Sequence, residues 1–313
     1  MIGAAGILLG FVIEAALSWP APLYAKIGHP VSWIGHAIRT IEARLNSADT
    51  SPARLRLLGG VGVCLVLALA VLPAIVVAAL LPSGWAGYVV GGLLAWPFLA
   101  PRSLFDHVQA VATPLIQGDI AGARYAVSMI IGRDPDQLDA AAIARASIES
   151  LAENASDGVV APVFWGVLLG LPGLVAYKAI NTMDSMIGHR SARYRHYGMV
   201  AARLDDLVNL IPARATGLLF VIVSGQPRRA AAVMLRDARH HRSPNAGWPE
   251  GAMAGALNVR LSGPRVYGEE IADEPWLNAE GTEADATTLR RALTLYLRAM
   301  FVLAVVLALV ALI

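Results

Sequence analysis

Three carboxylates spaced four residues apart, Glu149, Glu153 and Asp157, stand in the stretch ESLAENASDG, directly before the apolar run VVAPVFWGVLLGLPGLVAY. On an α-helix this spacing puts all three on one face, about 6 Å apart per step. Like charges so placed repel one another, and solvent, neighbouring cations or a bound positive ligand must compensate. Two readings stay open: a solvated helix face ending in an Asp157-Gly158 turn, or a site for a cation.

Three further polar clusters follow, each at the boundary of an apolar segment. YKAINTMDSMIGHRSARY carries Lys178, Asn181, Asp184 and Arg193; ARLDDLVNLIPAR carries Arg203, Asp205, Asp206, Asn209 and Arg214; RDARHHRSPNAGWP carries His241, Arg242, Ser243 and Asn245. Ionisable groups beside membrane helices are costly and are usually paired, wet or functional. Each cluster also has a plainer reading. Lys178 can snorkel to an interface, and Asn181 and Asp184 can cap a helix. Asp205 and Asn209 share a helix face, which suits oxygen ligation of a hard cation; an ion pair of Asp205 or Asp206 with Arg203 or Arg214 explains the same residues. His240-His241 between arginines reads equally as a basic helix end.

Some chemistry is not expected. His29, His36, His107, His189 and His196 lack metal-ligand spacing, which argues against zinc. No GxxxxGK[ST], no GxGxxG after a strand and no GxSxG elbow occurs. Carboxylates, amides and cations at a membrane-proximal pocket suit Mg²⁺-assisted handling of phosphates, with oxygen ligands on the metal and Lys or Arg on the phosphate.

The elements that position these clusters are membrane helices. Of the 313 residues 56% are hydrophobic and 15% charged, against about 45–50% and 25% in soluble domains. The net charge of +2 gives no reason to expect nucleic acid, and the single Cys64 supports neither an intramolecular disulfide nor redox chemistry. Val61–Leu81 and Trp85–Ala100, joined at Pro82-Ser83-Gly84, predict spans, as does Ala299–Ile313 when extended back to Leu295. Ile2–Leu17 lacks a positive leader and contains Glu14, so it reads as a retained membrane segment. Lys26, Arg39, Arg44, Arg54 and Arg56 predict a cytoplasmic first loop. Val159–Ala176, broken at Leu171-Pro172-Gly173, and Val208–Ser224, containing Pro212 and Arg214, predict broken or re-entrant helices; a pair of full spans is the alternative. A break at Asp134-Pro135 precedes a helix over 136–153, and 243–287 read as ordered loops leading to a last helix. The expected class is an all-α polytopic membrane protein with about four clear transmembrane helices, broken or re-entrant helices and a cytoplasm-facing helical and loop region. Its expected divisions are membrane helices over 1–100, a catalytic region over 101–298 and a terminal membrane helix over 299–313.

Four ordered blocks, SIESLAENASDGVVAPVFW, YKAINTMDSMIGHRSARYRHYG, AARLDDLVNLIPAR and DARHHRSPNAGWPEGAMAGAL, resemble the signature blocks of the CobD/CbiB family. HPVSWIGHAI (29–38) is similar to that family's His-Pro…Gly segment, and GPRVYG (263–268) to its late glycine-rich loop. One mild departure is Gly251, where another small residue such as Ala is expected. The resemblance implies a multi-pass inner-membrane enzyme of cobalamin biosynthesis whose site faces the cytoplasm. Such an enzyme joins (adenosyl)cobyric acid to (R)-1-amino-2-propanol or its O-phosphate as an amide, with ATP and Mg²⁺. On this basis Glu149, Glu153 and Asp157 supply metal ligands or bind the amine, and Asp184, Asp205 and Asp206 are the competing metal ligands. Lys178, Arg193, Arg203, Arg214 and Arg242 steady phosphates; Asn154, Asn181, Asn209 and Asn245, with Ser243, bind substrate or ATP; His241 carries a proton. The partners implied are the corrinoid, the amino alcohol and the lipid bilayer, with a second copy of the chain or other corrinoid-pathway enzymes left open.

Two rival classes fit less of the chain. Asp157-Gly158 resembles the start of a CDP-alcohol phosphotransferase pattern, but Pro162 stands where Arg should follow, and Asn154-x-x-Asp157 only echoes a prenyltransferase motif. A transporter would share the broken helices, but no half-to-half symmetry is visible.

Overall fold

The computed structural model describes residues 3–131, 137–267, 270–272 and 274–313. In chain order the helices are α1 (Gly3–Leu17), α2 (Ala21–Ile27), α3 (Pro30–Leu45), α4 (Pro52–Leu80) and α5 (Trp85–Ala95). They continue as α6 (Pro101–Ile116), α7 (Ile120–Ser128), α8 (Ala140–Ala155), α9 (Ala161–Ile187) and α10 (Met199–Val208). The last are α11 (Leu210–Val223), α12 (Pro227–Asp237), α13 (Gly247–Leu257) and α14 (Ala286–Ala311). Strands β1 (Leu261–Ser262), β2 (Arg265–Tyr267), β3 (Glu270–Ala272) and β4 (Trp276–Leu277) form two antiparallel pairs, β1 with β4 and β2 with β3. The all-α expectation is corrected to that extent: each ladder is too short to leave a period-2 signal. The Asp134-Pro135 break and Gly268 of the glycine-rich loop lie outside the described residues.

Among the described residues three helical stretches are long and apolar enough to cross a membrane, or up to five if each bent pair counts as one span. The clearest is α4, whose 29 residues rise about 44 Å against a hydrocarbon core of about 30 Å. Only 17% of its most apolar window is buried, so its leucines face outward, as lipid requires. α14 combines the expected terminal span with the helix before it. The span expected over Trp85–Ala100 is not a single helix. α5 has 11 residues, about 17 Å, and gives way to a 3₁₀ turn at Trp96–Phe98, where Pro97 lacks an N–H to continue the ladder.

Both expected breaks occur, each slightly displaced. In α9 the helix breaks at Gly170, with φ 69° and ψ −156°, a left-handed φ that glycine adopts without penalty, so Pro172 starts the next helical piece. Between α10 and α11 the break falls at Asn209 rather than Pro212; Pro212 sits in the first turn of α11, where its missing N–H breaks no bond. α8 starts at Ala140, after Asp139 caps it by accepting from Ala142 N at 2.8 Å.

The chain forms two compact units, one of Met1–Ala100, Ala161–Asn209 and Leu307–Ile313, the other of Pro101–Val160 and Leu210–Val306. Each unit is thus assembled from segments that are distant in the sequence. In the first unit Ile38, Val63, Val66, Ala179 and Met183 pack around Tyr197. The glycines of LLGGVGV admit that residue: a Cβ on Gly59 would lie 1.9 Å from Tyr197 O, and one on Gly62 2.6 Å from its Oη. In the second unit α12 and α13 touch along Gly251 and Gly255, whose added Cβ atoms would lie 3.2 Å from Met234 Cα and 2.8 Å from Ala230 Cα. Small residues at such spacing let membrane helices approach closely, where packing rather than apolar burial supplies the attraction.

Candidate functional site

The polar clusters sort into two sites, one in each unit. In the first unit α9 presents Tyr177, Asn181 and Asp184 along one face, and α10 supplies Asp205, Asp206 and the adjoining Asn209. Tyr177 Oη donates to Asn209 Oδ1 at 3.0 Å, and Asn209 Nδ2 donates to Asp205 Oδ2 at 3.0 Å. The relay is buried, with Tyr177, Asn209 and Asp205 exposed by 1%, 1% and 8%. Asn181 approaches the same carboxyl group, and Asp184 and Asp206 both act on it electrostatically. Asp205 Oδ1 is buried without a hydrogen bond among the described residues. His189 lies near Asp184, and Arg190 near Asp206. Among the described residues no three His, Cys, Asp or Glu side chains are grouped to enclose a metal ion.

The second unit holds the opening carboxylates, and they differ in burial. After Ala155 the helix takes a π-helical turn over Ser156–Val160. That turn bonds i to i+5 and so widens the helix where Asp157 stands. Glu149 is buried, Glu153 exposed and Asp157 half-buried. Glu149 Oε1 accepts from Ser262 N at 2.6 Å, anchoring β1 to α8. Ser262 Oγ lies 3.4 Å from Glu274 Oε2, and Arg242 lies 3.5 Å from Glu274 Oε1. Asn154 is exposed and donates to Ser150 O at 3.0 Å. Ser156 Oγ, inside the π turn, is buried with no hydrogen bond among the described residues.

His241 lies in the same unit, with Nδ1 hydrogen-bonded and Nε2 buried opposite a carboxylate at longer range. Nδ1 accepts from Ser243 N at 3.0 Å, which assigns the proton of a neutral ring to Nε2, and Nε2 faces Glu250 Oε1 at 3.7 Å. Both side chains are buried. Ser243 Oγ accepts from Asn245 N and Ala246 N, each at 3.2 Å, and so caps the approach to α13. Arg214 stacks over Trp248 at 4.4 Å and donates to Leu210 O. Just upstream, burial pushes the Asp237 carboxyl up, but the Arg236 guanidinium and the Asn278 N–H outweigh it and hold the group below the ordinary range.

The remaining cations separate. Arg193 makes a two-pronged pair with Glu42, 2.9 Å on each side, tying the loop after α9 to α3. Arg203 is exposed on α10, and Lys178 is half-buried on α9. Tyr177, Glu42, Glu250 and Glu274 were not singled out by sequence. Tyr177 and Glu250 stand inside the quoted blocks and could have been flagged as buried polar groups; Glu42 and Glu274 carry no local signal.

Apolar spanning helices, one unit with a buried phenol–amide–carboxylate relay and the other with a buried His–Glu pair, define a helical membrane protein with polar sites among its helices. Within that class the chain belongs to the CobD/Cbib family, whose description "CobD/Cbib protein" matches residues 7–296. It is 58% identical over 309 residues to the cobalamin biosynthesis protein CobD of Rhodobacter capsulatus, covering 98% of this chain and 97% of that one. The protein of the same name from Brucella suis is 48% identical over 296 residues, covering 92% and 90%. The one from Rhizobium meliloti is 46% identical over 282 residues, covering 88% and 86%. No solved structure matches the chain.

Proposed function

We propose that this chain is a membrane-bound enzyme of cobalamin biosynthesis that makes an amide between (adenosyl)cobyric acid and (R)-1-amino-2-propanol or its O-phosphate, driven by ATP. Its place is the inner membrane, with the site facing the cytoplasm. The observation that carries the reading is the family match over 7–296, together with the names of the relatives.

A carboxylate is a poor electrophile and does not condense with an amine unaided. In the proposed reaction a carboxylate oxygen of the corrinoid attacks the γ-phosphorus of ATP and ADP leaves. The amine nitrogen then attacks the carbonyl carbon of the acyl phosphate, inorganic phosphate leaves, and the nitrogen gives up a proton. Mg²⁺ fits the first cluster: it usually takes one or two carboxylates and completes its shell with water and phosphate oxygens. Asp205 Oδ1, buried without a hydrogen bond and next to Asp184 and Asp206, is the atom to hold it. When bound, the ion neutralises charge on the phosphates. Tyr177 and Asn209 fix the Asp205 carboxyl in place. His241, in the second unit, is the proposed proton carrier, with Nδ1 held by Ser243 N–H and Nε2 facing Glu250.

Purified protein supplied with cobyric acid, aminopropanol phosphate, ATP and Mg²⁺ should release the amidated corrinoid and ADP together. Absence of product under conditions where a relative is active would remove this assignment.

A further inference from the structure

The first unit contains a cavity of about 530 Å³. Its wall includes Trp19, Trp33, Ala70 and Pro73 of α4, Leu93 of α5 and Val175 of α9. The cavity sits where two helices fail to run on, α5 giving way to the turn at Pro97 and α9 breaking at Gly170 beside Leu171, while Pro73 stands inside the continuous α4. Helices interrupted at one level cannot close against each other.

The wall places no hydrogen-bonding demand on an occupant. Trp19 Nε1 already donates to Gly28 O at 3.2 Å, and Trp33 Nε1 donates to Ile27 O at 2.9 Å. Both indoles therefore line the space as hydrocarbon. Leu69 and Leu93 also line it while being 60% and 49% exposed. The cavity thus opens sideways onto the outer apolar surface of α4 and α5, and a spanning helix meets lipid there. A solute rimmed with amides, such as a corrinoid, would leave donors and acceptors unsatisfied in it; a hydrocarbon chain would not.

Polar groups gather at one end. His29 directly precedes Pro30 of the wall, and its ring meets Trp19 edge-on at 5.0 Å. Lys178 follows Val175 by about one turn of α9 and acts electrostatically on His29. Tyr24 and Lys26 are exposed on α2, just after the 111° bend between α1 and the stretch Ala21–Leu45. Trp, Tyr and Lys at one level mark the boundary between membrane and water. We infer that this cavity binds one acyl chain of a bilayer phospholipid, with its phosphate beside His29 and Lys178. Lipid binding here does not depend on which reaction the protein catalyses.

The full-length protein is placed in phosphatidylcholine–phosphatidylglycerol vesicles containing a phospholipid with a diazirine in its tail, photolabelled, digested and mapped by mass spectrometry. Label should concentrate on the peptides carrying Leu69, Leu93 and Val175, above the density on α14. Ala70→Trp and, independently, Ala37→Phe should each lower cavity labelling by at least about tenfold, the cost of displacing about two methylenes from an apolar site. Labelling of α14 and helicity by circular dichroism should stay unchanged. Cavity labelling no denser than that of α14, or undiminished in the filled variants, overturns the acyl-chain site. Native mass spectrometry of protein released from the same vesicles should show several-fold less retained phospholipid for Lys178→Gln than for wild type; equal retention overturns the phosphate contact.

Discussion

At the scale of single residues, the relay from Tyr177 through Asn209 to Asp205 makes the sharpest demand. Tyr177 donates to Asn209, Asn209 donates to Asp205 Oδ2, and Asp205 Oδ1 is buried without a hydrogen bond among the described residues. Asp205→Asn should lower kcat by about a hundredfold, as for loss of one preorganised charge-stabilising group, with helicity retained. Tyr177→Phe removes only the fixing bond and should weaken Mg²⁺ dependence by about tenfold, read as a shifted Mg²⁺ titration more than a lowered maximum rate. Near-normal values for both would return the relay to a purely structural role. Asp237 behaves differently. Its carboxyl is held below its ordinary range by Arg236 and the Asn278 N–H, so its stabilisation is complete above the unfolded value of about 3.9. It is lost as pH falls through the lower folded value. Asp237→Asn should cost about 1.5–3 kcal/mol at neutral pH, and the difference from wild type in denaturant midpoints should shrink as the pH is taken below that window. The neighbouring His241 was legible as a candidate from its type alone. Its partner Glu250 was not, because the pairing crosses from the loop into α13 and no fixed spacing announces it.

At the scale of elements, small residues decide what packs. Gly247, Gly251 and Gly255 recur every four residues on α13, and the latter two meet α12 backbone. The mild departure at Gly251 has a physical reading: a Cβ there would sit 3.2 Å from Met234 Cα, close enough to need a shift of a few tenths of an ångström. Gly251→Ala should therefore be tolerated with little change in midpoint, whereas Gly251→Leu should destabilise the second unit by about 1–3 kcal/mol through overpacking, measured by detergent-phase thermal unfolding. The break in α9 was readable from Leu171-Pro172-Gly173 to within a residue, since Pro and Gly act on the backbone locally, whereas the one at Asn209 fell three residues before Pro212. The π turn at Ser156–Val160 was not readable, because SDGVV carries no feature that separates a widened turn from a regular one.

At the scale of the whole molecule, composition and the long apolar runs sufficed for a helical membrane protein, and the positive residues of the first loop predict its orientation. With Cys64 replaced by Ser, cysteines introduced singly at Ser191 and Ser224 should react with an impermeant maleimide only after the cytoplasmic side is opened. Labelling of the Ser191→Cys variant from outside would make the α9 segment a full span and not a broken one. Class, family, approximate spans and the four polar blocks were all legible in the chain before any folding, since hydrophobic length, proline, glycine and ordered motifs are local properties. Which polar residues share a site came from three-dimensional packing alone. It separated Glu149 from Glu153 and Asp157, bound Arg193 to Glu42, and joined Tyr177 to Asp205 through Asn209. Those pairings depend on how helices distant in sequence pack, and that leaves no trace in the spacing of the residues themselves.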